Sequence, residues 1–261
     1  MKEMIAVIFV ADYHLHLSGL AASRIRNLDP VPNKIVFITP DVDKLKTVHQ
    51  NVLDIGIPIE YMQDDLVCQI TGITDQMGWL PRQWVELHLD VIFPDWKYIL
   101  TLDTDVIINR PLRLFDKGKI NLYIETARYE PYFATIKQLL PDLTEFLPIG
   151  DSFIADFMLL DSMQLKALRK AVDVDYSSWK KICDDNTPPM EDLQDSSAFS
   201  EYETIGTWML NHAPDKINLV KSDTYGMNNK YRSKHKLTDL LKINSVIPLR
   251  LVYDCDINWY E

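Results

Sequence analysis

"YILTLDTDVIINRPL", residues 98–112, runs through apolar residues to a pair of aspartates, Asp103 and Asp105, and returns at once to Val106, Ile107 and Ile108. The apolar run reads as a buried strand. Two carboxylates at its end repel each other and lose hydration, so the fold must compensate them. A divalent cation is the simplest compensation. Hard oxygen ligands suit Mn2+ or Mg2+, which keep positions open for substrate phosphates and offset charge on a leaving diphosphate. Asp103 and Asp105 are therefore the predicted metal ligands, one binding directly and the other orienting a ribose or a metal-bound water.

Working back from this stretch, apolar runs alternate with amphipathic ones: "MIAVIFV" (4–10), "LSGLAASRIRNL" (17–28), "KIVFITP" (34–40), "DVDKLKTVHQNVLDIG" (41–56) and "IPIEYM" (57–62). This β-α-β-α-β order predicts an α/β fold around a mainly parallel sheet with right-handed crossovers. Asp41 is placed to cap the second helix and Gly56 to end it. The segment from Gln63 to Gly78 reads as loose, and "PRQWVELHLDVI" (81–92) as one helix opened by Pro81. In open α/β sheets ligands bind beyond the carboxyl ends of the strands, where Asp103 and Asp105 fall. Arg82 and Gln83, on the helix preceding that strand, can point toward the same end, where at least one is expected to meet a donor phosphate or sugar hydroxyl.

Downstream, strands are expected over 120–126 and 152–160, and helices over 131–143, 162–172 and 200–213. The acidic, Pro-containing loop from Asp184 to Ala198 is long for a compact domain, which suits a lid or an acceptor-binding element. No internal repeat occurs, and the reading is of a single domain over 1–261.

With 47% hydrophobic and 25% charged residues the chain should fold throughout most of its length, since no segment has the composition of a disordered linker. The net charge of −11 argues against nucleic acid as the main partner. A basic stretch, Lys230 to Lys236, suits a diphosphate or an anionic membrane surface. Cys68, Cys183 and Cys255 show no C-x-x-C spacing and read as reduced structural thiols. Glu3 precedes the first apolar run and Asp12 and His14 follow it, so a buried strand explains it better than a signal peptide. No stretch approaches the roughly 20 apolar residues of a membrane span. The expectation is a cytoplasmic protein with, at most, peripheral membrane contact.

"GWLPRQWVELHLDVIFPDWKYILTLDTDVIINRPLRLF" (78–115), "SFIADFMLLD" (152–161) and "FSEYETIGTWML" (199–210) together resemble a group of bacterial and viral glycosyltransferase-like proteins with the GT-A fold. The resemblance spans about Met1 to Ala213. Its pattern is a Trp and a Gln on a helix, a strand ending in D-x-D, an "SFI" strand and an "SEYE" helix. Position 83 is Gln as in that pattern, whereas Arg82 stands where another polar residue is expected. The resemblance implies a GT-A fold and transfer of a sugar from a nucleotide donor, most simply a UDP-sugar, to a glycan acceptor with Mn2+ or Mg2+. Residues 1–115 would then bind the nucleotide sugar and 116–261 the acceptor. Ala11, Asp12 and Tyr13 would contact the base or ribose, Arg24 or Arg26 a phosphate, and Asp103, Thr104 and Asp105 the donor and metal. A late metal or phosphate ligand is also implied, with His235 and His212 as candidates.

For the chemical step, Ser200 and Glu203 read as a capping box, which gives Glu203 a structural duty. Glu201, at a helix N-terminus that favours its ionised form, is then the leading base or acceptor-binding residue. Asp156, an acid inside an apolar strand, is the alternative, and Asp151 beside Gly150 reads as a turn residue. Trp79 suits stacking on a sugar or base, and equally a core position. Two other functions compete. An aspartyl phosphatase also ends a strand in D-x-D, but that motif opens such a fold, and here a βαβαβ unit precedes it. A non-catalytic sugar-binding module is the other. No P-loop, dinucleotide or serine-hydrolase motif occurs.

Overall fold

The computed structural model describes residues 2–50, 55–108, 111–126, 128–155, 157–188, 197–221, 225–226 and 249–250. In chain order the elements are β1 (Lys2–Phe9), α1 (Leu15–Arg24), β2 (Leu28–Asp29), β3 (Lys34–Thr39), α2 (Val42–His49), β4 (Ile59–Gln63), α3 (Asp64–Thr71), α4 (Trp79–Glu86), α5 (Leu89–Ile92) and β5 (Trp96–Asp103). Short strands β6 (Val106–Ile107), β7 (Leu112–Arg113) and β8 (Phe115–Asp116) lead to β9 (Lys119–Ile124), α6 (Glu130–Leu139), β10 (Phe157–Asp161) and α7 (Ser162–Val172). They are followed by α8 (Tyr176–Asn186), α9 (Glu201–His212), β11 (Ile217–Lys221), β12 (Tyr225–Gly226) and β13 (Leu249–Arg250).

The central sheet has the order β10-β5-β1-β3-β4. Four of its strands are parallel, and β10 runs antiparallel to β5 at one edge. Strands covered on both faces carry continuous apolar runs instead of alternation. Accordingly Met4 to Phe9, Ile35 to Ile38, and Ile99, Leu100 and Leu102 are all buried. The chain leaves β1 toward β3 and β4, then returns to the other side of β1 as β5. This reversal is a topological switch point, and it opens a crevice at the carboxyl ends of β1, β3 and β5. Register places Phe9, the last residue of β1, opposite Asp103, the last of β5.

Local chemistry explains most boundaries. The Asp41 side chain accepts from Lys44 N at 2.9 Å and caps α2, as its position after Pro40 predicts. That helix ends at His49, earlier than the Gly56 stop expected from sequence. The stretch read as loose, Gln63 to Gly78, contains α3, which turns Val67, Cys68 and Thr71 inward and closes on Gly72 at φ +73°. The single helix expected over 81–92 is two, α4 and α5, broken at Leu87 and His88. The strand expected over 152–160 forms only from Phe157, while Ser152 makes an isolated bridge to Glu125.

A second sheet, β11-β9-β8, sits in the later half, and one hydrophobic core joins it to the first, from Met4 through Trp179 to Ile217. An aromatic seam ties α4 to α8 and to the start of α9: Trp84 lies 5.0 Å from Trp179, which lies 5.0 Å from Phe199. Helix α9 presses close to the core at Gly206, where an added Cβ would overlap the fully buried Phe153 ring. Alanine there gains helix propensity of about 1 kcal/mol, yet overpacking of a closed core costs about 1–3 kcal/mol. Gly206→Ala is therefore expected to destabilise the chain despite its better propensity, and a urea melt showing equal or greater stability would refute the close packing.

Candidate active site

A cavity of about 440 Å³ occupies the crevice, within the range of small-molecule sites. The β1–α1 turn supplies Ala11, Asp12, Tyr13 and His14; the end of β3 supplies Thr39 and Pro40; α4 supplies Trp79 and Arg82; and Asp103, Thr104 and Asp105 close it from β5. A second cavity of about 210 Å³ adjoins it, lined by Gln83, Tyr132, Ile154, Ser200, Glu201 and Tyr202. Trp79, Arg82 and Asp103 line both and form the partition between them.

The partition is an ion-pair network. Arg82 Nη2 donates to Asp103 Oδ1 and, at 3.1 Å, to Glu86 Oε1 one helical turn away. Its guanidinium also lies over the Phe9 ring, 4.9 Å from the centroid. Burial works against this charge, but Asp103 and Glu86 outweigh it, so Arg82 stays protonated. Thr104 is buried and donates its hydroxyl proton to the Phe9 carbonyl, fastening the D-x-D turn to the end of β1. Asp12 is exposed and lies 3.6 Å from Lys44, and Tyr13 is 61% exposed at the mouth.

Glu201 departs from expectation. Its carboxyl is buried, and burial together with the adjacent, hydrogen-bonded Glu86 carboxyl holds its pKa well above the usual carboxylate range, against the pull of Arg82. The helix N-terminus does not keep it ionised, because loss of water and a second carboxyl outweigh the dipole. Oriented with its nitrogen toward acceptors, the buried Gln83 amide donates to Glu201 Oε2 at 3.1 Å and to the Phe199 carbonyl at 2.8 Å. The capping box is half formed. Ser200 Oγ accepts from Glu203 N at 3.2 Å, but the Glu203 carboxylate turns instead to Ser152 Oγ (2.6 Å) and Phe153 N (3.1 Å). Glu203 thus anchors the segment before β10.

The structure gathers Ala11, Asp12, Tyr13, Arg82, Asp103, Thr104 and Asp105 on one cavity, and Gln83 and Glu201 on its neighbour. Arg24, Arg26 and His212 line neither; the His212 ring stacks on Trp208 at 3.7 Å. Asp151 forms a turn, its N–H donating to the Pro148 carbonyl at 3.0 Å. Asp156, His235 and the basic stretch 230–236 lie outside the described residues, as does most of the acidic loop. Sequence reasoning missed Glu86, His14, Asp64, Tyr132 and Tyr202. The Arg82–Glu86 spacing of four on a helix was a signal for the first; the others are brought in by tertiary packing.

Among the described residues no group of three His, Cys, Asp or Glu side chains is placed to hold a metal. The donor set nevertheless fits a hard divalent cation that takes one or two carboxylates and completes its shell from substrate phosphates and water: Asp103 and Asp105 both face the larger cavity. None of the described helices is long and apolar enough to cross a membrane.

No protein-family model matches the chain, and no curated protein matches it in sequence. Solved structures do. An active-site mutant of LgtC aligns at a TM-score of 0.50 and 14% identity, over 88% of this chain and 76% of its own. The bifunctional glycosyltransferase WbbM aligns at 0.49 and 10%, over 84% of this chain and 39% of WbbM. Galactosyltransferase LgtC in complex with donor and acceptor sugar analogues aligns at 0.47 and 15%, over 88% and 77%. The likeness is one of architecture: the chain has the GT-A glycosyltransferase fold, a mainly parallel sheet flanked by helices.

The buried carboxyl has a measurable consequence. The folded chain holds the Glu201 proton more tightly than the unfolded chain, so stability falls as pH rises from the unfolded value of about 4.3 toward the raised one. His14 and His49, lowered to about 4 mainly by burial, act oppositely and lose stability as pH falls from about 6.5. Above that pH the histidines are neutral in both states. Glu201→Gln is expected to flatten the decline as pH rises above about 6.5 and to leave stability there equal or higher by about 1 kcal/mol, read from urea melts. An unchanged slope refutes the assignment.

Proposed function

We infer that the chain is a metal-dependent glycosyltransferase, moving a sugar from a nucleotide-sugar donor, most simply a UDP-sugar, to a glycan acceptor. The observation that carries this reading is the pair of cavities meeting at Asp103 and Arg82, at the carboxyl ends of β1 and β5. The larger has the size and rim for a donor, and the smaller abuts it where a sugar would be passed on. The fold shared with LgtC supports the class of reaction.

In this reading Ala11, Asp12 and Tyr13 hold the base and ribose, with Tyr13 and Trp79 offering exposed ring faces at the mouth. Asp103 and Asp105 hold Mn2+ or Mg2+, which when bound offsets charge on the departing diphosphate. The larger cavity is lined by four aspartates, Asp12, Asp64, Asp103 and Asp105, against Arg82 and a His14 whose pKa burial lowers to about 4. An unaccompanied diphosphate would be repelled there, which is why the reading includes a metal. Arg82 closes the partition, and Gln83 orients Glu201. Glu201 faces the smaller cavity and receives the acceptor hydroxyl. Burial and the adjacent Glu86 carboxyl raise the Glu201 pKa, so that Glu201, when ionised, is the stronger base for the hydroxyl's proton as the new glycosidic bond forms and the sugar's bond to the diphosphate breaks.

Calorimetry with UDP in the presence and absence of Mn2+ tests the donor side. Asp103→Asn and Asp105→Asn are each expected to weaken Mn2+-dependent UDP binding by about tenfold or more. Wild-type affinity in both variants would sink the reading. On the acceptor side, in a transfer assay over a panel of UDP- and GDP-sugars, Glu201→Gln should retain UDP affinity while turnover drops by about 100-fold or more.

A further inference from the structure

The Arg82–Asp103 contact sets a permanent cation on the same carboxylate that the proposed function gives to a metal. Three elements fix that cation: α4 carries it, Phe9 at the end of β1 underlies it, and Asp103 at the end of β5 accepts from it. Glu86 takes the remaining contact at 3.1 Å, and Arg82 Nε is buried with no hydrogen-bond partner. The guanidinium is thus held by charge more than by a full set of hydrogen bonds. Its side chain remains 20% exposed, and it faces both cavities.

We propose that Arg82 is an internal cation that competes with the divalent metal for Asp103, so that metal loads together with the nucleotide diphosphate and not before it. The proposal rests on the transferase reading of this site. Two cations on one carboxylate repel each other, and they do so strongly where water is partly excluded. Metal arriving alone must weaken the Arg82–Asp103 pair and leave the guanidinium facing Glu86. A diphosphate changes the balance, because its negative oxygens give the metal and the guanidinium a shared counter-charge. Metal and nucleotide then bind with positive coupling, and each strengthens the other by the same factor. A neutral side chain at position 82 removes the competitor and leaves Asp103 to the metal without nucleotide.

Mn2+ binding, followed by electron paramagnetic resonance of the free ion, distinguishes the outcomes. Wild-type chain is expected to bind Mn2+ alone about tenfold or more weakly than in the presence of UDP. Arg82→Gln should bind Mn2+ alone about tenfold or more tightly than wild type and lose most of the UDP enhancement. A merely structural role for Arg82 predicts looser binding on its removal, the opposite sign. If Arg82→Gln binds Mn2+ alone no tighter than wild type while Mn2+ still binds with UDP, the proposal falls and the transferase reading stands. If wild type binds no Mn2+ even with UDP, that reading falls and takes the proposal with it. Should Arg82→Gln fail to fold by circular dichroism, Arg82→Lys decides. Lysine keeps the charge but ends one atom short of the Nη2 that meets both carboxylates, so Mn2+ alone should bind tighter than to wild type, and unchanged affinity overturns the proposal.

Discussion

Three carboxyls, those of Asp103, Glu86 and Glu201, are brought into the protein around one guanidinium, that of Arg82. None of the three would tolerate that position alone, since an unpaired charge taken out of water costs several kcal/mol. The arrangement divides the burden. Arg82 contacts both Asp103 and Glu86, and Glu201, its pKa raised beside Glu86, is held toward its neutral form. One cation and one retained proton thus settle the electrostatics of a region that joins α4, β5 and α9. The remaining net negative charge is what makes the site receptive to a further cation.

Strand order then decides where this network faces. Because β5 returns beside β1, opposite β3, the ends of three strands open into the same crevice. The Phe9–Asp103 register brings the β1–α1 turn and the D-x-D turn to one level, and the Thr104 hydroxyl on the Phe9 carbonyl locks them there. The rim can carry chemistry because the strands beneath it are packed on both faces and do not yield. On the far side, Glu203 does the corresponding fastening. It draws Ser152 and Phe153 against α9 and so positions the wall of the second cavity.

Much of this was readable from the chain, and the misses have physical causes. The strand–helix alternation, the D-x-D at a strand end and the Asp41 cap depend on neighbours within a few residues, which sequence displays directly. Helix α3 was overlooked because its inward residues include the polar Asp64 and Thr71 while Leu66 and Ile70 face outward, so polarity along the chain does not mark the buried face. The ionisation of Glu201 was misjudged because the helix dipole is local whereas its burial is not. Seventeen is no helical period, and nothing in the chain between Glu86 and Asp103 announces that Arg82 bridges them. Pairings across elements leave no periodic trace.

The contact between α4 and α9 links the two cavities as well as the two halves of the chain. Arg82 and Gln83 are adjacent on α4, yet one turns to Asp103 and the larger cavity while the other turns to Glu201 and the smaller. Glu86, one turn on, touches both sides, through Arg82 and through its contact with the Glu201 carboxyl. A change of charge at Asp103 therefore reaches Glu201 through Arg82 and Glu86. Any ligand that draws Arg82 away removes a charge that holds the Glu201 pKa down, and so makes Glu201 the stronger base toward a group in the second cavity. The same short helix that separates the two cavities is, by its chemistry, the path along which a charge change in one is felt in the other.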